Sequence, residues 1–189
     1  MSDTDVNVVN EALALTGFDG APVTGSAPTF DSSIMGKNAA RLYVPAVQAV
    51  ARQFEWDFSR QVVLLGGTGN VAPFPWTKEF VYPALAVQVW QVTPTGQADA
   101  NDPLPVNFAI GNAQVGGVST KVIWCNLNLA LAVYNGLPPV AVWDAGFRAA
   151  VVRLLASEFA MAGAGKPEAA QGALESFGQF IASAAERPS

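Results

Sequence analysis

The stretch from Asn38-Ala39-Ala40-Arg41-Leu42-Tyr43 to Phe54-Glu55-Trp56-Asp57-Phe58 constrains this chain more than any other. Ile34 or Met35, Ala39, Leu42, Ala46, Val50 and Phe54 recur at three or four residues, which predicts one amphipathic helix with a single buried stripe. Asp31, Ser32 or Ser33 can cap its start. Arg41, Gln48 and Arg52 fall off the stripe and are expected to face solvent or a partner. Pro45 lies inside the pattern, where it removes a backbone hydrogen bond at a cost of about 3 kcal/mol, so a kink or a break into two helices is expected there. About twenty residues at 1.5 Å each make a rod of roughly 30 Å, the diameter of a small domain. Trp56 and Phe58 follow at strand spacing, as a pair aimed back at a core.

On either side the pattern is helical. Asp5 can cap a short helix to about Thr16, with Val6, Val9, Leu13 and Ala12 on one face and Gly17 as its stop. Phe18 to Thr29 has no period and reads as a loop, anchored by Pro22-Val23. Trp143, Phe147, Val151, Leu154, Leu155 and Phe159 share one face of a later helix, capped by Asp144 and ended at Gly163-Ala164-Gly165. Pro167 suits the first turn of a last helix with Ala170, Leu174, Phe177 and Ile181 as its stripe.

Between these helices the texture changes to short β-like runs separated by Gly and Pro: 61–65, 79–82, 86–92, 106–110 and 121–124. Gly66-Gly67-Thr68-Gly69-Asn70 lacks the lysine and following helix of a phosphate loop and reads as a flexible turn or hairpin tip. Residues 94–105 read as an exposed loop, in which Asp99 and Asp102 are expected to be solvated carboxylates. The expected fold class is therefore α+β and mainly helical. A four-helix core formed by residues 1–58 and 138–189 carries a β-rich insertion at 59–137. Leu42, Val50, Phe54, Trp56, Phe58, Trp143, Phe147 and Leu154 are its expected core residues.

Composition narrows function by exclusion. Half the residues are apolar and only 13% are charged, which favours a surface partly covered by other subunits. A net charge of −5 argues against wrapping nucleic acid but suits a wall that DNA must slide past. No histidine is present, so the commonest general base and metal ligand is missing. The single cysteine, Cys125, sits beside Trp124 and reads as a small buried hydrophobe in a reducing compartment. Met1 is followed by acidic and polar residues, unlike a secretory leader, and charges interrupt residues 141–164 too often for a membrane span. No cofactor or metal is expected.

Four segments in order carry a resemblance. They are Val9-Asn10-Glu11-Ala12-Leu13 with Gly17 and Pro22-Val23; Asn38-Ala39-Ala40-Arg41-Leu42 followed by Trp56-Asp57-Phe58; Tyr82-Pro83-Ala84; and Trp143-Asp144 leading to Phe147 and Leu154-Leu155-Ala156. Spanning about residues 6–162, they resemble the head-to-tail adaptor proteins of tailed bacteriophages, the tail tubular protein A family. The chain departs from that family at Ala84-Leu85, where an acidic residue is common.

The resemblance implies a non-enzymatic virion protein, assembled in the host bacterial cytoplasm. It implies a ring, expected to be dodecameric, between the portal and a downstream tail or nozzle protein, with DNA passing through the lumen and no membrane involved. Candidate interface residues are Arg41, Arg52, Phe74, Trp76, Phe177, Phe180 and Ile181. A tail-completion or stopper role in the same neck is the alternative within that class. Outside it stands a carboxylate-based wall hydrolase, for which Asp31 with Ser32 and Ser33, or Glu55 with Asp57, could be cast.

Overall fold

The computed structural model describes residues 4–95, 106–164 and 167–185, and in the last span the side chains of 168, 171, 172, 174–179 and 182. The chain divides into two compact units, Met1–Phe54 with Pro138–Ser189, and Glu55–Leu137. The first crossing precedes Trp56 and Phe58, so that pair belongs to the second unit and does not end the helical core.

In the first unit, α1 (Asp5–Leu15) buries Val8, Val9, Ala12 and Leu13. Asp5 sits in its first turn, after the N-cap Thr4. There its carboxylate accepts from Tyr43 Oη at 2.9 Å and from the amide of Ala27 at 3.3 Å. Burial, with this bond second, pushes the Tyr43 hydroxyl pKa upward. Asn10 clamps the following segment, its side-chain amide donating to the Val23 carbonyl and accepting from the Val23 amide. The stretch expected to be a plain loop contains a small hairpin of β1 (Gly25–Ser26) and β2 (Thr29–Phe30).

Helix α2 (Ile34–Ala51) is capped by Ser33, whose Oγ accepts from the Gly36 amide at 2.9 Å, and it runs unbroken through Pro45. Its buried face is Gly36, Ala39, Tyr43, Ala46, Val47, Val50 and Ala51, while Ile34 at the helix start stands exposed.

The second unit begins with β3 (Arg60–Leu64), β4 (Lys78–Val81) and β5 (Gln88–Pro94), followed by β6 (Phe108–Val115), β7 (Val118–Cys125) and β8 (Ala130–Asn135). They form two antiparallel three-stranded sheets, ordered β3-β8-β5 and β4-β7-β6. Side chains of both sheets share one core: Val89, Val92, Ala130, Ala132 and Tyr134 from the first meet Phe80, Ile123 and Cys125 from the second. The two sheets are thus the halves of a small sandwich.

The chain then returns to the first unit as α3 (Ala145–Phe159), whose N-cap Asp144 accepts from the Phe147 amide at 2.6 Å. Helix α3 is packed against α1, α2 and α4 (Pro167–Ala185) and buries Phe147, Ala150, Val151, Val152, Leu155, Ala156 and Phe159. That burial goes well beyond one stripe. The centre of the unit is therefore α3, with α2 as one of three neighbours.

Three strands depart from the sequence expectation. Strand β8 is the middle of its sheet and nearly all buried, so it shows no polar alternation to mark it. Strands β6 and β7 extend beyond the expected 106–110 and 121–124. They are joined by Gly116-Gly117, whose φ of 58° and 84° are those of a two-residue hairpin turn.

The expectation of a mainly helical protein with a four-helix core is overturned. Helix makes up 40% and strand 27% of the structure, in three sheets, one of them inside the helical unit. The fold is α+β with helix and sheet sharing the work. Helix α4 lies on α3, but none of its described side chains is buried, and Leu174 of the expected stripe is 52% exposed. Hydrophobic periodicity marked a helix there without telling whether that face joins a core. Among the described residues no helix is long and apolar enough to cross a membrane.

Candidate docking surface

The most organised polar site lies on the β4-β7-β6 sheet. Glu79 on β4 stands opposite Trp124 on β7, and although 94% buried it carries a carboxylate. Trp124 Nε1, Thr68 Oγ1 and Asn70 Nδ2 each donate to it at 2.8 Å. Burial alone would raise its pKa, but the three donors outweigh burial and hold it below the ordinary carboxylate value. Gly111 on β6 makes room for the indole, because a Cβ there would collide with the Trp124 ring.

This carboxylate fixes one end of the segment 66–77. The Thr68 amide donates to the Glu79 carbonyl at 3.1 Å and the Val81 amide to the Gly66 carbonyl at 2.9 Å. At the other end Asn126 Oδ1 accepts from the Thr77 amide at 2.9 Å, and Trp76 N–H turns back to the Pro73 carbonyl. The segment 66–77, whose first part 66–70 was expected to be a flexible turn or hairpin tip, is thus tied to the sheet at both ends. Between the ties, Val71 is 95% and Phe74 97% exposed, and no residue from Gly66 to Thr77 is charged. Phe74 is thus an aromatic ring exposed to water on a loop tied at both ends, which makes it a candidate contact residue.

A second surface feature belongs to the helical unit. Among the described residues, a groove of about 520 Å³ between α1, α3 and α4 is lined by Leu15, Ala149, Val152 and Gly172, with Glu11, Arg153 and Ser176. Arg153 is held in it by donating from Nε to Ser176 Oγ at 3.0 Å and from Nη1 to the Ala149 carbonyl at 3.1 Å. Glu11 is paired with Arg148.

The other candidate interface residues do not gather at either feature. Arg41 and Arg52 are exposed on α2 and reach Asn38 and Gln48 of their own helix. Trp76 and Phe177 are half-buried. The side chains of Phe180 and Ile181 lie outside the described residues, as do Asp99 and Asp102. Among the expected core residues Val50 and Phe147 are buried, whereas Leu42, Phe54, Trp56, Phe58, Trp143 and Leu154 are half-buried at the margins. Trp143 is positioned by its Nε1–H donating to the Pro138 carbonyl and by an edge contact with Phe147 at 4.8 Å.

The groups that could be cast as catalytic are occupied in structure. Asp31 accepts from the amides of Ser33 and Thr24, and hydrogen bonds to Ser33 and Thr24 lower its pKa to about 2. Glu55 pairs with Arg60 at 3.3 Å, and Asp57 is exposed in the short turn Asp57–Ser59. Cys125 is fully buried, and burial pushes its thiol pKa up, away from nucleophilic use. Among the described residues no three His, Cys, Asp or Glu gather as a metal site.

The sequence analysis did not foresee the Glu79 network. Its only local trace is an acidic residue inside an apolar strand, and the three donors come from positions 68, 70 and 124. No protein-family model matches the chain, and no curated protein matches it.

Proposed function

We propose that this chain is a structural subunit of a tailed-bacteriophage neck, a head-to-tail adaptor that forms a ring between portal and tail through which DNA passes. The observation that carries the reading is Phe74, a fully presented aromatic side chain on a loop tied down by a buried carboxylate. Such an arrangement serves contact with another protein and performs no chemistry. The sequence resemblance to adaptor proteins supplies the class. Low charge density and a net charge of −5 suit subunit contacts and a conduit that DNA does not stick to. Asp31 sits at about 2, opposite to the raised pKa of a glycosidase general acid, and Glu55 is paired with Arg60, which disfavours the hydrolase alternative.

The test is to mix the purified chain with the portal ring of the same genome and weigh the product by native mass spectrometry. The expected product is a discrete complex with one copy per portal subunit. A bare portal beside well-folded chain would overturn the adaptor reading and leave a tail-completion role to pursue.

A further inference from the structure

Along an edge strand of an antiparallel sheet, residues alternate between bonding their neighbour and facing outward. In β3 the odd positions face β8: the Leu65 amide donates to the Ala130 carbonyl at 2.9 Å and the Gly136 amide to the Ser59 carbonyl at 3.1 Å. The amides and carbonyls of Val62 and Leu64 therefore point away from β8, and among the described residues no backbone group pairs with them. We infer that this open edge of β3 is an interaction surface whose occupant is the same edge of a second copy of the chain, paired antiparallel across a two-fold axis at Val63.

Hydrogen-bond complementarity selects that occupant and its register. An axis at Val63 sets Val62 of each copy opposite Leu64 of the other, so each free amide meets a free carbonyl. The next pair on either side is Arg60 opposite Gly66. There the Arg60 amide is already taken by the Asp57 carbonyl, and the Gly66 carbonyl by the Val81 amide at 2.9 Å. These two used groups face each other in this register, so no free group is wasted on them. Moving the axis to Val62 or to Leu64 would set a used group against a free one. Side chains agree. Val62 and Leu64, 46% and 56% exposed, become cross-strand neighbours on the outer face. Val63 meets its counterpart on the inner face, where it already packs against the sandwich core. Charge does not oppose the pairing, since no residue from Gln61 to Thr77 is charged and Arg60, paired with Glu55, falls opposite a glycine.

Two other edges of the sandwich are protected. That of β4 is covered by residues 66–68, through the Thr68 amide on the Glu79 carbonyl and the Val81 amide on the Gly66 carbonyl. That of β5 takes the Val106 amide at its Val92 carbonyl, carries a bulge between Val89 and Gln91 and ends in Pro94. Strand β3 has no lysine, proline or bulge to blunt it, and such an edge is a template for another strand. Its length sets the strength. Five residues span roughly 17 Å, a smaller contact than the roughly 1,200–2,000 Å² of a stable pair of proteins. Weak, concentration-dependent pairing is therefore expected. The contact closes at two copies, so it goes beyond the ring reading and does not rest on it.

The test uses the full chain alone, with sedimentation and residue-resolved amide hydrogen exchange at about 50 μM and about 1 mM, where weak association becomes visible. Wild type is expected to move toward dimer, and the Val62 and Leu64 amides to exchange several-fold more slowly at the higher concentration. A dimer held by side chains elsewhere would not slow those two amides. Val62→Pro removes one outward donor and leaves the bonds to β8 in place, and Leu64→Lys puts a charge on the same edge at an exposed position. Each should abolish both the dimer and the slowing, whereas Leu64→Ile should keep them. Should Val62→Pro fail to fold, Leu64→Lys still decides. A strict monomer at 1 mM, slowing that is the same at both concentrations, slowing that survives Leu64→Lys, or slowing instead at Ile110 and Asn112 on β6 would each overturn the inference. None of these outcomes depends on whether the portal binds, so the failure of this contact and the failure of the adaptor reading are told apart.

Discussion

The two units are held together by different physics. The helical unit is organised by α3, whose large buried side chains Phe147, Val151, Leu155 and Phe159 are apolar and fill its core, with Ser157 Oγ donating to the Leu154 carbonyl of the same helix. The sandwich also has an apolar core, but its loop is fixed by an ionised carboxylate that the fold has taken out of water and surrounded with donors. Packing tolerates small rearrangement at modest cost, whereas a buried charge depends on every partner. The α3 core should therefore respond to volume and the Glu79 site to hydrogen bonding and pH.

The largest expected effect is on the helical side. Phe147→Ala empties a site that is 1% exposed and removes the edge contact to Trp143, so it should cost about 3–5 kcal/mol in denaturant unfolding. A loss under about 1 kcal/mol would show that α3 is not the centre of that unit.

Next is Glu79→Ala, which leaves the Trp124, Thr68 and Asn70 donors without their acceptor and should destabilise by on the order of 2–3 kcal/mol. The same carboxylate predicts a pH dependence. Its folded pKa is lowered from 4.5, so its stabilisation is fully present above that value and disappears as pH falls through the folded pKa. Thermal unfolding followed from pH 7 toward pH 3 should show a shallower acid-side loss in Glu79→Gln than in wild type. Parallel curves for the two proteins would mean that the network does not depend on the charge.

Gly111→Ala tests the same network from the neighbouring strand β6. The added methyl meets the Trp124 ring and must displace it, which should cost about 1–3 kcal/mol and shift the tryptophan fluorescence. Trp56→Ala should cost only about 1–2 kcal/mol, below the usual range for a buried tryptophan, because Trp56 is half-buried beside Phe58. A full-sized loss at Trp56 would assign it to a core after all. Smallest of all, Phe74→Ala should change folding stability by no more than about 0.5 kcal/mol, since the ring is surrounded by water. Its melting temperature should match wild type.

The same contrast explains what could be read in advance. A helix closes its hydrogen bonds within a few residues, so its stripe and caps are written locally. Ser33, Asp144 and the Pro167 start of α4 were legible for that reason. Sheets close theirs over long separations. Strand β8 pairs Val62 with Val133 and Gln91 with Val133, and nothing near residue 133 announces a strand buried on both sides. The two-glycine turn at 116–117 was legible in principle, but the alternation on β6 is interrupted by Gly111 beneath the Trp124 ring.

By itself the sequence determined the helices, the β-rich texture of the middle of the chain and the absence of histidine. These follow from periodicity, residue type and the cost of leaving local groups unsatisfied. Only the tertiary structure decided that α3 and not α2 is central, that none of the described side chains of α4 is buried, and that Glu79 gathers Thr68, Asn70 and Trp124 into one site. Those outcomes depend on which faces meet and on contacts across many residues, and a buried charge is stable only where all its partners arrive together.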